Sequence, residues 1–324
     1  MHYFYPYRAV CRKLGGYYIE SILLRLAVPY FFVCSGFFLG RKLKKNDWKL
    51  NKSFVKRYVL RIGQKLIFFE TISIIVNIVL MRHGGVTILD SAIQTIQAIL
   101  FYPWGSLWYL QAVIIGIILL LPFIKRNQVI YALPIGVILY NFALLCNRYY
   151  FVIVDKPIHT VVDQYLKFFV SARNGVFVGY IYIAIGILLA EFFEKIYRHK
   201  KIVYVILGIS MICLTAEVSI LAQYKGTDDN SLFISHIIAI PTLFLTTAVC
   251  DFKLYGTVLL RNLSTSIYLL QKTVIQIIPP LFSLLCGIKI DRYMLTILTL
   301  ICVVLICTVV YKGNKLNKLY ILMT

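Results

Sequence analysis

Hydrophobic runs of membrane-spanning length recur along the chain and are separated by short polar segments. A helix needs about 20 apolar residues to cross the hydrocarbon core of a bilayer. Several runs reach that length with one charged residue or none. The pattern predicts an all-α fold, a polytopic transmembrane helical bundle of about nine spans. The predicted spans lie near residues 21–40, 58–80, 107–124, 129–150, 174–193, 202–222, 232–250, 264–286 and 293–311.

The connecting segments are short and rich in turn residues, such as Asn46-Asp47 and Gly84-Gly85. Residues 87–105 have a partly amphipathic pattern and are predicted to lie at the membrane interface. Residues 151–173 are polar enough to leave the bilayer, as a short interfacial or re-entrant helix. Since no long polar stretch remains, residues 1–324 are predicted to form a single integral membrane domain with no soluble domain.

The composition strengthens the membrane interpretation. Hydrophobic residues make up 60% of the 324 residues, charged residues 15%, and the mean hydropathy is +0.81. Soluble domains carry roughly a quarter charged residues and about half apolar ones. The net charge of +21 does not indicate a nucleic-acid partner, because the basic residues form short runs between apolar segments rather than a stripe with interleaved aromatics. The eight cysteines show no CxxC spacing, so we expect small buried apolar side chains and no metal site.

The distribution of basic residues predicts the orientation. One set of alternate loops carries 19 Lys and Arg residues, including the run from Arg41 to Arg57, and the other set carries 10. Cytoplasmic loops carry the excess of positive charge. We therefore expect a multi-pass protein of the bacterial plasma membrane with its C-terminus inside and its N-terminus outside.

Ionisable residues inside the spans are the first candidates for function, since each costs roughly 2.5–3.5 kcal/mol to insert. Glu70 lies in mid-span, Glu217 in the outer half of its span, Lys272 one-third into its span, and Arg25 one turn from the outer edge. Arg25 also has the alternative of snorkelling to the interface, and Glu70 that of pairing with a neighbouring helix. His236 is expected to be a packed, hydrogen-bonded core histidine.

Four stretches in matching order resemble the acyltransferase family 3 membrane enzymes. The first, residues 25–38, has the family's Arg-x-x-x-Pro-x-Phe-Phe-x-x-Ser-Gly pattern. The others are Leu107-Trp108-Tyr109-Leu110, Arg173-Asn174-Gly175-Val176-Phe177 and Ser264–Leu270. The resemblance covers essentially the whole chain and is nearest to the membrane half of vancomycin-resistance serine racemases. It implies ten transmembrane helices and transfer of acyl groups, commonly acetyl from acetyl-CoA, onto hydroxyls of sugars or cell-wall components.

The resemblance also implies roles for individual residues. The first span of the family carries an Arg and, about eleven residues later, a His proposed to be catalytic; His2 falls where that His would lie, and the Arg has no counterpart here. Nine spans with an external N-terminus equal ten spans without the first, so we expect the first family helix to be missing. Gln271 stands where relatives often have His, and Gln cannot exchange a proton near neutral pH.

The sequence thus predicts a membrane O-acyltransferase. The predicted catalytic residues are His2, Arg25, Arg173 and Glu217, with substrate binding at Trp108, Asn174, Gln271 and Glu70. A base contributes roughly 10²–10⁴-fold to attack by a hydroxyl, and arginine or amide donors stabilise the developing oxyanion. Acetyl-CoA is expected as co-substrate without a bound cofactor, and the partners are the lipid bilayer, acyl-CoA and an envelope glycan or other hydroxyl acceptor. The alternatives are a transporter or exporter of a polar solute or glycan, and a truncated, inactive family member.

Overall fold

The computed structural model describes residues 14–224, 231–250, 257–286 and 291–312, and in these ranges every regular element is a helix. The prediction for His2 therefore concerns a residue outside the described ranges. The α-helices of these ranges are α1 (Leu14–Ile22), α2 (Ala27–Gly40), α3 (Trp48–His83), α4 (Ile88–Leu100), α5 (Trp108–Lys125), α6 (Ala132–Leu145), α7 (Ile158–Phe169), α8 (Tyr180–Arg198), α9 (Lys200–Leu221), α10 (His236–Val249), α11 (Thr257–Cys286) and α12 (Arg292–Lys312).

Many helices expose large apolar side chains, and several polar side chains are buried, as expected of a protein whose solvent is lipid. Ile67, Ile138 and Ile212 are each about 70% exposed (69%, 70% and 71%), whereas Glu70 and Ser210 are buried. A water-soluble protein of this size would have the opposite arrangement. The exposed apolar surface supports the predicted helical membrane protein.

Each predicted span overlaps a helix of the described ranges. Five helical segments are long and apolar enough to cross a membrane: Tyr17–Gly40, Trp48–His83, Trp108–Lys125, Gly175–Arg198 and Lys200–Leu221. Helices α6 and α10 have 14 residues each, fewer than the roughly 20 that a straight crossing requires. The all-α membrane fold agrees with the sequence, and the number of nine spans stays a prediction.

Helix α3 is longer than the predicted span of residues 58–80. It begins at Trp48 and has 36 residues, about 54 Å at 1.5 Å per residue, against about 30 Å of hydrocarbon. Lys49, Lys52 and Lys56 therefore lie on a helical extension and not in a loop. Helix formation continues past the membrane because lysine has a good helix propensity.

The two segments predicted to lie at the interface contain short helices. Residues 87–105 contain α4, whose N-terminus is capped by Thr87, since its hydroxyl accepts a hydrogen bond from the Asp90 amide at 3.1 Å. Residues 151–173 contain α7. Ile88, Leu89 and other apolar residues of α4 are exposed, which suits a helix that lies against lipid.

The chain divides into two compact units. Among the described residues, unit 1 comprises residues 61–108, 257–286 and 291–312, and unit 2 comprises residues 14–60, 109–224 and 231–250. The core of unit 2 is the pairing of α2 with α8, where two glycines allow the backbones to touch. A Cβ at Gly186 would lie 2.9 Å from the Cα of Gly36, and a Cβ at Gly36 would lie 2.9 Å from the Cα of Ile183. Small residues bring membrane helices together in this way because apolar association gives them no advantage over lipid.

Candidate functional site

Arg25 lies at a break in the first long helical segment. The residues Leu24–Leu26 form a 3-10 turn between α1 and α2, and Pro29 follows in the first turn of α2, where its missing N–H is tolerated. The Arg25 guanidinium donates from Nη2 to Oε1 of Glu20 at 2.5 Å, and the two side chains are 28% and 23% exposed. The Nε–H of Arg25 is buried and has no acceptor within hydrogen-bonding distance among the described residues. Arg25 is therefore held in place with one donor left over.

Glu217 on α9 holds the segment that leads into α10. One carboxylate oxygen accepts from the Ile234 amide at 2.6 Å and from the Tyr149 hydroxyl, and the other accepts from the Ser235 amide at 2.8 Å. These amides belong to the N-terminal end of a helix, where donors lack intrahelical acceptors and negative charge is stabilised. The carboxylate is thus occupied by structural hydrogen bonds.

The same segment is fixed from two further sides. The side-chain oxygen of Asn147 accepts from the amides of Ser231 and Leu232 at 2.8 and 2.9 Å. The Tyr140 hydroxyl donates to the Phe233 carbonyl at 2.8 Å and receives a 3.3 Å hydrogen bond from Tyr182. Four amides and one carbonyl of this irregular segment therefore have side-chain partners, as backbone groups in a low-dielectric interior require.

His236 follows this segment as the first residue of α10 and is completely buried. Its ring lies edge-on to Phe233, with centroids 5.1 Å apart, and the Arg25 guanidinium is close enough to interact with it electrostatically. Neither ring nitrogen has a hydrogen-bond partner among the described residues. His236 is packed in the core as predicted, whereas the predicted hydrogen bonds of its ring are not seen among the described residues.

Arg148 is a buried charge that the sequence reasoning did not single out. Its Nη2 donates to the Leu221 carbonyl at the C-terminal end of α9 and to the Tyr17 hydroxyl, the latter at 3.1 Å. A guanidinium at a helix C-terminus satisfies free carbonyls and opposes the helix dipole. The sequence shows two polar residues, Asn147 and Arg148, directly after an apolar run, and this pattern could have marked them as candidates. Their partners on α9 and before α10 lie some 70 to 85 residues further along the chain.

Arg173 and Asn174 precede a π-helical turn at Gly175–Gly179, which leads directly into α8. The Asn174 side-chain oxygen accepts from the amides of Val176 and Phe177 at 3.0 and 3.2 Å, and its amide nitrogen donates to the Tyr165 hydroxyl at 2.9 Å. Asn174 is thus the N-cap of this turn. The amide of Arg173 donates to Ser171 Oγ at 3.1 Å, and its side chain is half-buried.

Titratable side chains that follow the end of α6, beyond the membrane-spanning helices, form a small group beside α7. The Tyr150 hydroxyl lies 2.7 Å from Nε2 of His159 and donates to Asp163 at 2.5 Å. That hydrogen bond raises the pKa of Tyr150 to about 12, because losing the proton would place two negative charges together. Burial raises the pKa of Tyr165 to about 12. Both hydroxyls remain protonated donors at physiological pH.

The predicted substrate-binding residues Glu70, Trp108 and Gln271 belong to unit 1. Trp108 is 8% exposed and its ring stacks on Tyr102 at 6.1 Å. Gln271 is partly buried on α11. Glu70 is 7% exposed on α3, with the Trp104 backbone near its carboxylate.

Two of the predicted catalytic residues lie near the same short segment at the start of α10. Within unit 2, Glu217 binds the residue that precedes His236, and Arg25 interacts with His236 itself. Arg173 belongs to the same unit, at the start of the α8 segment. A single polar cavity that contains all of these residues and His2 stays a prediction.

The chain matches one protein family and is similar to two curated proteins. A family model described as an acyltransferase domain matches residues 1–312. Two similar curated proteins, both from Enterococcus faecalis, are each named amino-acid racemase. The first is 23% identical over 235 residues, which cover 71% of this chain and 32% of the relative. The second is 26% identical over 208 residues, which cover 62% of this chain and 27% of the relative. The matched region therefore spans about a third of these relatives or less. No solved structure matches the chain.

Proposed function

Since the chain belongs to acyltransferase family 3, we propose that it transfers an acetyl group from acetyl-CoA to a hydroxyl of a cell-envelope or exported sugar or similar acceptor. The observation that carries this proposal is the family match, which spans residues 1–312 and so includes all the described helices. The five long apolar helices support its operation in a membrane. Because both curated relatives come from a bacterium, we propose the bacterial plasma membrane as its location.

In this proposal His2 removes the proton of the acceptor hydroxyl while the oxygen attacks the thioester carbonyl. The negative charge that develops on the carbonyl oxygen requires fixed donors, which stabilise it without reorganisation. Arg25 suits that role, because Glu20 fixes its orientation while its buried Nε–H keeps a free donor among the described residues. Arg173 is proposed as a second electrostatic stabiliser. Coenzyme A then leaves as the thiolate and takes up a proton.

Glu217 enters the proposal as a positioning residue. Its carboxylate already accepts hydrogen bonds from two backbone amides and a tyrosine, so it orders the segment before His236. Asn174 orders the start of α8 in the same way. Trp108, Gln271 and Glu70 remain proposed substrate contacts.

The donor is expected to enter from the cytoplasmic side along the basic residues that follow α2. Coenzyme A is an anion, and a basic surface raises its local concentration. Lys45 pairs with Glu191 at 2.7 Å, and Arg41 lies 3.8 Å from Glu194, but the two basic side chains stay 75% and 51% exposed. Both therefore remain accessible to phosphate groups.

The test is transfer of isotope-labelled acetyl from acetyl-CoA to envelope fractions by membranes that contain the full chain. Replacement of a general base lowers the rate by roughly 10²–10⁴-fold, so His2→Ala is expected to abolish most of the transfer. Arg25→Ala is expected to lower transfer by roughly 10²-fold, the usual effect of losing an oxyanion donor. The matched controls are His199→Ala and Arg126→Ala, which change exposed residues.

Equal transfer by His2→Ala and by the unchanged chain would exclude His2 as the base. If no envelope fraction takes up label from the unchanged chain, the acyl-transfer proposal fails, and transport of a polar solute becomes the better hypothesis.

A further inference from the structure

Unit 1 contains a row of polar side chains in the middle of α3. Glu70, Ser73 and Asn77 are 7%, 3% and 7% exposed, and their spacing of three and four residues places them on one helix face. Ile75 and Val79 on the opposite face are 59% and 61% exposed. The polar face is therefore the one that α3 turns toward protein.

Helix α11 contributes to the same polar row. The Gln276 side-chain amide donates to the side-chain oxygen of Asn77 at 3.2 Å, and the Asn77 amide donates to the Ser73 carbonyl at 2.7 Å. Thr273, one turn before Gln276, is 8% exposed. We call Glu70, Ser73, Asn77, Thr273 and Gln276 the polar seam. All five belong to unit 1.

The polar seam has buried acceptors without side-chain donors. Both carboxylate oxygens of Glu70 and the side-chain oxygen of Gln276 are inaccessible and accept no hydrogen bond of regular geometry among the described residues, and the Trp104 backbone near the Glu70 carboxylate carries no charge that would neutralise it. All three atoms are acceptors when Glu70 is ionised. An isolated carboxylate is too costly to keep in an apolar interior, and such a group is neutralised by a proton or by a bound positive charge.

The neighbouring charged side chains of unit 1 do not neutralise the Glu70 carboxylate through a hydrogen bond. Lys65 lies on α3 itself and Lys272 on α11, and the Glu70 oxygens accept from neither. Asp90 on α4 is exposed and accepts from Thr87. The pairing of Glu70 with a neighbouring helix, the alternative drawn from sequence, is not seen among the described residues.

We propose that the polar seam is a cation-binding site within the membrane, with the Glu70 carboxyl group as the ligand and a proton or a small monovalent metal ion as the occupant. The two occupants share a single positive charge that neutralises the carboxylate. Gln276 and Ser73 add further buried oxygen atoms to the polar seam. The seam shares Glu70 with the proposed substrate contacts of acyl transfer, whereas the candidate base and the arginines of that reaction do not belong to the seam.

Dicyclohexylcarbodiimide tests this proposal, because it reacts with protonated carboxyl groups in apolar surroundings. The carboxyl proton moves to a carbodiimide nitrogen, and the carboxylate oxygen bonds to the central carbon. The O-acylisourea then rearranges to a stable N-acylurea without a further reactant. Purified full-length chain in micelles is treated in buffer whose only cation is choline, and the adduct is located by peptide mass spectrometry.

We expect an adduct at Glu70 that is lost in Glu70→Gln and retained in Thr71→Val, a change at the exposed neighbouring residue. If the occupant is a proton, labelling decreases as the pH rises and does not respond to added Na⁺. If the occupant is a metal ion, Na⁺ suppresses labelling at least several-fold at constant pH and ionic strength. No adduct at Glu70 in choline buffer at any pH, or equal labelling of Glu217 and the exposed Glu194, would overturn the proposal. Acetyl transfer is measured separately, so failure of either proposal is recognised independently.

Discussion

Replacement of Glu217 by alanine removes the carboxylate that holds the N-terminal end of α10. The variant loses hydrogen bonds from the amides of Ile234 and Ser235 and from the Tyr149 hydroxyl. A hydrogen bond to a charged group contributes about 1.5–3 kcal/mol when it is well buried. Because Glu217 and Ser235 are only half-buried and Ile234 is exposed, we reduce the sum to about 3 kcal/mol. This loss corresponds to a decrease of roughly 10²-fold in the folding equilibrium constant.

Two more conservative substitutions separate the contributions of the individual hydrogen bonds to Glu217. Glu217→Gln keeps one acceptor oxygen but presents an amide group to the second backbone amide, and we expect a loss of about 1–2 kcal/mol. Tyr149→Phe removes one donor, and we expect a loss of about 1 kcal/mol. Since the two side chains are in contact, their effects should not add in the double variant.

The assay is equilibrium unfolding of the purified chain in mixed micelles, combined with hydrogen exchange of the peptide that contains residues 231–236. The matched control is Glu194→Ala, whose side chain is 82% exposed and 3.8 Å from Arg41; an exposed ion pair contributes about 0–1 kcal/mol. We expect faster exchange of the amides of Ile234 and Ser235 in Glu217→Ala alone. Equal stability of Glu217→Ala and Glu194→Ala, with unchanged exchange, would refute the capping role.

Three further predictions concern other parts of the molecule. His236→Leu removes two buried nitrogens that lack partners among the described residues and should raise the free energy of unfolding by about 1–2 kcal/mol; a clear loss of stability would show that the ring is hydrogen-bonded in the membrane. Gly186→Leu forces α2 and α8 apart and should prevent recovery of folded protein, whereas Gly208→Leu, where a Cβ meets nothing within 4 Å, should express normally. Topology reporters fused after Asn46 and after Lys225 should report cytoplasm and exterior respectively, and the opposite pattern at both would overturn the orientation.

The helices could be predicted from the sequence because lipid leaves the backbone few choices. A chain segment in hydrocarbon must satisfy its own amides and carbonyls, so an apolar run of sufficient length becomes a helix. The hydrophobic pattern does not indicate how far a helix continues outside the membrane. For this reason α3 begins ten residues before the predicted start of its span, on lysines that are compatible with a helix.

The candidate site could be predicted only in part. Arg25 and Glu217 were singled out because buried charges are costly, and both prove to have polar partners. Asn147 and Arg148 were missed because their partners are distant in sequence, and local pattern does not report such contacts. Asn174 was taken from the resemblance as a substrate contact, whereas its side-chain oxygen caps the turn before α8. The resemblance finds the position, but only the contacts show what the side chain does there.

The close packing of Gly36 against Gly186 also has a consequence for how the protein is made. The two glycines are about 150 residues apart in the chain, and at roughly 5–20 residues per second the ribosome needs about 8–30 s to make the residues between them. During that time α2 resides in the bilayer without the helix that covers its glycine face. Its groove is open to lipid and to other nascent helices, so a factor that shields single helices during insertion should affect the yield of this protein more than its final stability.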